Sequence, residues 1–528
     1  METPDDLFRR LDQLNDIGAS LSNERNIKLL LEKIILAAKQ ITHADGGTLY
    51  LLSDDRRHLH FEIVRTDSLQ LAFGGSSDQP TSGKFPDLSL YRADGSANDC
   101  MVAAYAAITG LTVNIADAYS AEGFDFSGTR QFDARTGYRS QSFLTVPMKN
   151  HEGEIIGVLQ LINAISPATG AVVEFSQADQ RLAESLASQA AIALSNRQLV
   201  QQLETLFESF IKLINLAIDE KSPYTGGHCQ RVPELTMMLA EAADAATEGP
   251  LADFKLTDKD RYELRIAALL HDCGKVTTPV HVVDKATKLQ TIYDRIHLID
   301  TRFEVVRRDA EVRKWQSIAE GMAPAEAERI FFHFCQKIPV DRGILHRANI
   351  GCEKMADEEI QRVRQISAEY RWCDADGNDL PFLSDDELEN LTIRSGTLTR
   401  AERGIINHHI DATIKMLEQL PWPRHLKNVP EYAGGHHERM DGKGYPKGLK
   451  REEMSWQARM MGIADIFEAL TAKDRPYKDG MKLSQALGIL EKFRNNGHID
   501  PALHEVFLLS GVFRRYAERF LEAPQIDY

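Results

Sequence analysis

The spacing of apolar and polar residues divides the chain into a mixed region and a helical region. Residues 1–26 predict an N-terminal helix, and residues 27–178 combine an amphipathic helix with strand-like segments and a Gly/Ser/Pro-rich loop. Two further strands, joined by a turn at Asn150–Gly153, complete this α/β domain. From residue 222 to 528 the pattern is helical. The sequence therefore predicts a multidomain protein with an α/β domain followed by an all-α domain.

A long linker helix is predicted between the two regions, because neither proline nor glycine interrupts residues 179–221. Apolar and amide side chains recur there at alternating spacings of four and three, which is typical of a coiled coil and predicts a homodimer. The alternative is an amphipathic helix that packs on its own domain. The predicted seam consists of Leu182, Leu186, Gln189, Ala193, Asn196, Val200, Leu203, Phe207, Phe210, Ile214 and Ala217.

Composition and charge restrict the classes of function. A chain of 528 residues that is 43% hydrophobic and 27% charged is typical of globular proteins. Its net charge of −16 argues against a DNA or RNA polymer as partner. No apolar run is long enough to cross a membrane, and the N-terminus lacks a signal-peptide core, so we expect a cytoplasmic protein. Six scattered cysteines without a C-x-x-C pair predict reduced thiols.

Histidine and aspartate recur in five short motifs of the helical region. These are GGHCQRV, LLHDCGK, NHHIDAT, GGHHERMDG and GIADIFEAL. An apolar helical run ends at His271 and Asp272, whose side chains point about 100° apart and can straddle a metal. Mixed histidine and carboxylate ligands favour iron, manganese or zinc over calcium. The motifs therefore predict a metal site and raise the hypothesis of a two-metal hydrolase.

The ordered set H…HDxGK…H…HHExxDGxGYP…D resembles the HD-GYP domain, a subgroup of the HD metal-dependent phosphohydrolases. The resemblance covers residues 222–528 apart from a charged segment at about 290–395, which we interpret as a helical insertion. It implies hydrolysis of cyclic di-GMP to linear pGpG, GMP or both, by attack of a metal-activated hydroxide. It also implies a binuclear centre of iron or manganese, with zinc, nickel and cobalt as further options.

The same resemblance implies roles for individual residues. The first metal would be bound by His228, His271, Asp272 and Asp465, and the second by Asp272, His409, His436 and His437. Catalytic roles fall to Asp272 and Lys275, and substrate binding to Lys275, Gly444, Tyr445, Pro446, Arg475 and Lys478. His297 and His408 are alternatives to His409. Tyr224 stands where some members of the family have a glutamate ligand of a third metal, which favours two metals here.

The order of elements in residues 27–178 resembles a GAF domain, a fold that binds small molecules, including cyclic nucleotides. Asn163, Phe175 and Asp179 match the cyclic-nucleotide motif N-K-x(n)-F-x(3)-D-E, whereas Ala164 and Gln180 replace its lysine and second acid. Two interpretations follow. The domain senses an unidentified ligand through these three residues, or it serves dimerisation and signal transmission.

The leading hypothesis is a GAF-regulated cyclic di-GMP phosphodiesterase. One alternative is a catalytically silent receptor or scaffold that binds the nucleotide, or a protein partner, through the GYP loop. Another is a phosphodiesterase for a different cyclic dinucleotide. Because all the matched metal positions and Lys275 are present, the sequence favours an enzyme.

Overall fold

The computed structural model describes residues 4–24, 26–77, 79–222, 227–352, 354–374, 376–473 and 480–528. The chain forms two compact units, Met1–Phe207 and Glu208–Tyr528. Among the helices of the described residues, none is both long and apolar enough to span a bilayer.

An eight-stranded antiparallel sheet forms the centre of the first unit. Its path is β3-β2-β1-β7-β6-β5, with β4 paired to β2 and β8 paired to β7. The strands are β1 (Ala44–Leu52), β2 (His58–Thr66), β3 (Leu71–Phe73), β4 (Leu88–Ser89), β5 (Val113–Ile115), β6 (Phe143–Lys149), β7 (Ile155–Ile165) and β8 (Val172–Val173). The predicted turn between β6 and β7 is confirmed, because Gly153 donates its backbone N–H to Asn150 and adopts a positive φ of 79°.

Helices cover both faces of this sheet, so its central strands are apolar on both sides. The helices of this unit are α1 (Pro4–Asn23), α2 (Ile27–Thr42), α3 (Val102–Thr109), α4 (Ser127–Thr136) and the start of the long α5 (Gln177–Lys221). The side chain of Asn26 caps α2 by accepting from the backbone of Lys28. Residues of α1, α2 and early α5 share a core with Leu49 and Leu159, and residues of α3 pack with Tyr50 and Val158 on the other face.

The long linker helix is confirmed by α5, but part of the predicted seam is wrong. Leu182 and Leu186 are buried in the core of the first unit, so they pack on their own domain and not on a second chain. Farther along, an exposed apolar stripe keeps the alternating spacing of four and three. It consists of Leu199, Leu203, Leu206, Phe210 and Leu213, each between 48% and 64% exposed.

The second unit is predominantly helical, as predicted. Its helices are α6 (His228–Asp244), α7 (Asp258–Leu270), α8 (Val280–Val283), α9 (Ile296–Ala319), α10 (Pro324–Asn349), α11 (Asp357–Glu369), α12 (Asp385–Leu391), α13 (Arg400–Asn407), α14 (His409–Glu418), α15 (Val429–Gly434), α16 (Trp456–Thr471), α17 (Leu483–Asn495), α18 (Pro501–Leu509) and α19 (Val512–Phe520). A short hairpin of β9 (Arg371–Cys373) and β10 (Asp379–Pro381) adds two antiparallel strands.

The segment interpreted as an insertion has a hydrophobic core of its own. Residues from Leu289 to Leu391 contribute to one cluster, in which the rings of Phe303 and Phe382 lie 4.5 Å apart. Helices α9 to α12 and the hairpin therefore share one cluster within the second unit, and an inserted module stays a prediction.

Candidate metal centre

Ends and beginnings of helices bring the predicted histidines together. His271 directly follows α7, His409 begins α14, and His436 and His437 follow α15. His228 begins α6. The result is two groups, His228–His271–Asp272 and His409–His436–His437, and within each group the potential ligand atoms lie within 4.8 Å of one another.

Asp272 lies between the two groups. Its Oδ2 is 3.2 Å from Nε2 of His228 and 3.4 Å from Nε2 of His271, whereas its Oδ1 is 3.3 Å from Nε2 of His409. Asp465 approaches the first group from α16, with Oδ1 3.2 Å from Nε2 of His228. One carboxylate thus faces both groups with different oxygens, which is the arrangement needed to bridge two cations.

The tautomers of three imidazole rings are fixed by backbone carbonyls. Nδ1 of His271 lies 2.7 Å from the carbonyl oxygen of Ala268, and Nδ1 of His436 lies 2.6 Å from that of Ala433. Nδ1 of His409 contacts the carbonyl of Ile406 in the same way. A carbonyl oxygen can only accept a hydrogen bond, so Nδ1 carries the proton and Nε2 keeps its lone pair for a metal.

The second group fits a cation better than it fits protons. Burial, together with the neighbouring His437 and His271, lowers the pKa of His436 well below its usual value, and burial lowers the pKa of His437 to about 4. Among the described residues, Nε2 of His409 and Nε2 of His436 are buried without a hydrogen-bond partner. Leaving such atoms unsatisfied is costly, so a metal ion is the partner that these two nitrogens suit.

The carboxylates of Asp272 in the first group and of its neighbour Asp465 stay charged despite burial. Burial alone would raise the pKa values of Asp272 and Asp465, but neighbouring cations and histidines hold both well below their usual range. Burial alone would lower the pKa of His228, but Glu468 and the two aspartates raise it well above its usual value. Lys275 Nζ donates to Asp272 Oδ2 at 2.6 Å, so the predicted catalytic lysine lies against the predicted bridge.

Sequence reasoning missed Glu468, which is almost fully buried beside His228. Its carboxylate contacts Nδ1 of His228 and accepts from Nε of Arg231 at 2.7 Å. Burial alone would raise the pKa of Glu468, but His228 and Arg231 lower it to about 2. The available signal was its spacing, because a residue three positions after Asp465 lies on the same face of α16.

Thr413 was missed as well, and it joins the two halves of the site. Its Oγ1 accepts from the backbone N–H of Gly274 at 2.9 Å and donates to the carbonyl of His271 at 3.2 Å. A β-carbon at Gly274 would lie 2.0 Å from the carbonyl oxygen of His409. The glycine of the HDxGK motif is therefore required for close packing between the HD segment and the first turn of α14.

The GYP loop is tied to the histidine pair. The carboxylate of Glu438 accepts from the backbone N–H groups of Lys447, Gly448 and Leu449 at 2.7–3.1 Å and so holds the loop. Gly442 needs a positive φ of 75°. At Gly444 the constraint is different, because a β-carbon there would lie 2.4 Å from the backbone of Glu438.

Tyr445, one of the predicted substrate-binding residues, packs on a predicted metal ligand. Its ring stacks on that of His437 with 4.9 Å between centroids and 22° between planes. Pro446 follows directly in the half-buried part of the loop. The loop and the second group therefore share a direct contact.

Several candidates lie away from the two groups or outside the described residues. The side chains of His297 and His408 are 77% and 70% exposed and face Asp300 and Asp411. The structure therefore brings only His409, of the three alternatives, to Asp272. Arg475, Lys478 and Tyr224 lie outside the described residues.

The three predicted GAF ligand residues make contacts within their own domain. The side chain of Asn163 accepts from the backbone of Gln141 and Ser142 at 2.7 and 3.2 Å. Phe175 is buried in the core, and Asp179 pairs with Arg10. These contacts give the three residues structural roles, and a ligand role stays a prediction.

Domain models of known families match separate parts of the chain. A GAF domain model matches residues 26–194, and two HD domain models match residues 225–331 and 380–503. The two HD matches leave a gap at residues 332–379, inside the predicted insertion.

Two relatives are phosphodiesterases by name. A cyclic di-GMP phosphodiesterase of Pseudomonas aeruginosa is 36% identical over 115 residues, which are 22% of this chain and 27% of that protein. A 3'3'-cGAMP-specific phosphodiesterase of Vibrio cholerae is 38% identical over 299 residues, which are 57% of this chain and 37% of that protein. The chain thus spans between a quarter and two fifths of the length of these relatives. Among solved structures, the GAF domain of an Acinetobacter phosphoenolpyruvate-protein phosphotransferase is 17% identical, with 38% of this chain and 99% of that chain covered and a TM-score of 0.27.

Proposed function

We propose that this chain, which joins a GAF domain to an HD domain, is a metal-dependent phosphodiesterase that hydrolyses a cyclic dinucleotide. The observation that carries the proposal is the position of Asp272, whose two oxygens face two separate groups of histidines. A phosphodiester is anionic, and a pair of cations held by one carboxylate is suited to neutralise it. The names of the relatives support a cyclic dinucleotide as the class of substrate.

Two metals would be held by the residues of the two groups. The first position would use His228, His271, Asp272 and Asp465, and the second Asp272, His409, His436 and His437. When bound, the metals would neutralise phosphate oxygens and lower the pKa of a water molecule for attack on phosphorus. Mixed imidazole and carboxylate donors favour iron or manganese, and zinc, nickel or cobalt are compatible with the same donors.

The protein's own contribution is to orient the ligands and to handle a proton. Backbone carbonyls hold the rings of His271, His409 and His436 with Nε2 toward the centre. Lys275 is charged beside Asp272, because the two aspartates outweigh burial and raise its pKa. Its ammonium group can contact a phosphate oxygen and can protonate the 3' oxygen that leaves when water adds across the P–O3' bond.

Cyclic di-GMP is the substrate we propose first, and 3'3'-cGAMP is the competing substrate. The GYP loop supports both, because Gly444, Tyr445 and Pro446 adjoin His437 and would line the nucleotide cleft. The Vibrio relative covers more of this chain than the Pseudomonas relative, which is the reason to test both substrates side by side. The products would be the linear dinucleotide, the mononucleotide, or both.

The direct test is turnover by purified protein reconstituted anaerobically with iron or manganese. Equal concentrations of cyclic di-GMP and 3'3'-cGAMP are supplied separately, and kcat/KM is compared. Asp272→Ala should abolish turnover, whereas Asp411→Ala, an exposed aspartate of α14, should leave it unchanged. Wild-type protein that binds both dinucleotides but hydrolyses neither would refute the enzyme and favour a silent receptor. Full activity in Asp272→Ala would refute the assigned bridge.

We also propose that the chain dimerises through the exposed stripe of α5. Leu203 and Phe210 are 64% and 55% exposed, and they lie one heptad apart in the alternating pattern. Sedimentation of the double variant Leu203→Glu/Phe210→Glu should give a monomer where wild type gives a dimer. Leu111→Glu, at an equally exposed leucine outside α5, is the control. A parallel pair of α5 helices would let the GAF domain regulate the HD domain.

A further inference from the structure

We propose that Glu468 is a positioning residue that makes the His228 group the tighter of the two metal positions. The inference rests on the proposed metal-dependent function and goes beyond it, because Glu468 is not among the proposed metal ligands or substrate-binding residues. It acts through His228.

Two facing helices supply the contacts. His228 and Arg231 lie three residues apart on α6, and Asp465 and Glu468 lie three residues apart on α16. His228 Nε2 faces Asp465, and its Nδ1 faces Glu468. The imidazole is therefore held at both nitrogens, with the inner nitrogen toward the site and the outer one on a carboxylate.

This arrangement differs from that of the other oriented histidines. His271, His409 and His436 donate from Nδ1 to neutral backbone carbonyls, whereas His228 donates to a charged carboxylate. A charged acceptor makes the stronger hydrogen bond and draws the Nδ1 proton away from the ring. The remaining nitrogen becomes a stronger donor to a metal, and outer partners of this kind are typically worth about 10–100-fold in metal affinity.

Arg231 keeps Glu468 in this outer position. The guanidinium contacts Oε1 through Nε and through a terminal nitrogen, both at 2.7 Å, while Oε2 contacts His228. Each oxygen of the carboxylate thus has its own partner, and the side chain is only 1% exposed. With both oxygens engaged, Glu468 is held for orienting His228 and is not available to bind a metal directly.

The competing explanation is an ordinary buried ion pair that only joins α6 to α16. Glu387 provides a matched case, because it is also buried, also pairs with an arginine, Arg302, and contacts none of the proposed ligands. A purely structural pair predicts that Glu468→Gln and Glu387→Gln lose thermal stability without a change in metal affinity. A positioning role predicts that metal affinity changes only in Glu468→Gln.

The experiment measures metal binding by the full-length apoprotein without any substrate. Mn²⁺ is titrated anaerobically in competition with a chromophoric chelator, and bound metal is counted by mass spectrometry of the elements. We expect wild type to bind two ions in two steps. In Glu468→Gln the tighter step should weaken by about 10–100-fold, and the other step should stay unchanged. Glu387→Gln should titrate like wild type.

Glu468→Asp covers the case in which the glutamine variant does not fold. The shorter carboxylate keeps the charge but reaches His228 less well, so we expect an affinity between those of wild type and Glu468→Gln. Two wild-type steps in every folded Glu468 variant would overturn the inference and leave the proposed function intact. Wild-type protein that binds no metal would overturn the proposed function as well, so the two failures are distinguishable.

Discussion

Replacing Gly274 by alanine should separate the two halves of the site. The added methyl carbon would lie 2.0 Å from the carbonyl oxygen of His409 and 2.6 Å from the backbone nitrogen of Thr413. Ordinary contact requires about 3.5 Å, so the HD segment and α14 must move apart by about 1–1.5 Å. Overpacking of this kind costs about 1–3 kcal/mol, and loss of the hydrogen bond from Gly274 to Thr413 costs about 1 kcal/mol more.

The variant should lose activity as well as stability. Asp272 and His409 are on opposite sides of this contact, with 3.3 Å between their facing atoms. Because a misplacement of 1 Å typically costs about 100-fold in rate, we expect a loss in kcat of about that size from a variant that still folds. Urea unfolding measures the free energy of unfolding, and turnover of the cyclic dinucleotide measures kcat.

Gly404→Ala is the matched control for this experiment. Gly404 lies in α13, shortly before His409, and a β-carbon there would have nothing within 4 Å. Alanine is favoured over glycine inside a helix, so this variant should be as stable as wild type or up to about 1 kcal/mol more stable. If Gly274→Ala shows wild-type stability and kcat, the reasoning that the glycine permits a necessary close approach is refuted.

Three further predictions test other contacts. His409→Ala should lower kcat by about 1000-fold, the equivalent of about 4 kcal/mol. His408→Ala, at the exposed neighbour, should leave kcat unaltered and change stability by less than about 0.5 kcal/mol. Equal losses of kcat in the two variants would contradict the assignment of His409. Tyr445→Ala should weaken Mn²⁺ binding by about 3–10-fold, because the stack on His437 is lost. Tyr445→Phe keeps the ring and should keep the wild-type affinity for Mn²⁺. A large loss of affinity in Tyr445→Phe would show that the hydroxyl group matters instead of the stack. Asp500→Asn should cost about 3–5 kcal/mol in urea unfolding at pH 7, because Asp500 is buried between two arginines. Those arginines outweigh burial and lower the pKa of Asp500. The difference in the free energy of unfolding between wild type and Asp500→Asn should therefore persist above about pH 4 and shrink as the pH falls below it. A difference that stays constant down to about pH 2 would exclude an ionic origin.

The residue types of the candidate site were predictable, but the choice among neighbouring histidines rested on family resemblance. Spacing alone does not distinguish His408 from His409, since adjacent residues at a helix junction differ only in the direction of the side chain. In the structure His409 points to Asp272, whereas His408 is exposed to solvent. Glu468 escaped notice for a related reason, because its partner His228 is 240 residues away along the chain.

The linker helix shows what the spacing of apolar residues alone does not predict. An alternating spacing of four and three identifies an apolar face, but it does not reveal whether that face packs on the same chain or on another. Early in α5 the face is used within the first unit, as at Leu186, and later it is exposed, as at Leu203. The α/β domain was easier to predict, because its strands are bounded by turns that the local sequence specifies.

The positions of three histidines suggest why this site is assembled from helix ends. His271, His409 and His436 lie one or two residues beyond the ends of α7, α13 and α15, and each donates to a carbonyl of the preceding helix. Carbonyls in the last turn have no partner within the helix, so the imidazole N–H satisfies one of them and the ring is fixed at the same time. The last turn also carries a partial negative charge of about half an electron, which favours a nearby cation. The two aspartates contact the groups unequally, because Asp272 faces histidines of both groups whereas Asp465 lies 3.2 Å from His228 of the first group. This unequal contact is a second physical reason, beside the contact of Glu468 with His228, to expect that the two metal positions bind with unequal affinity.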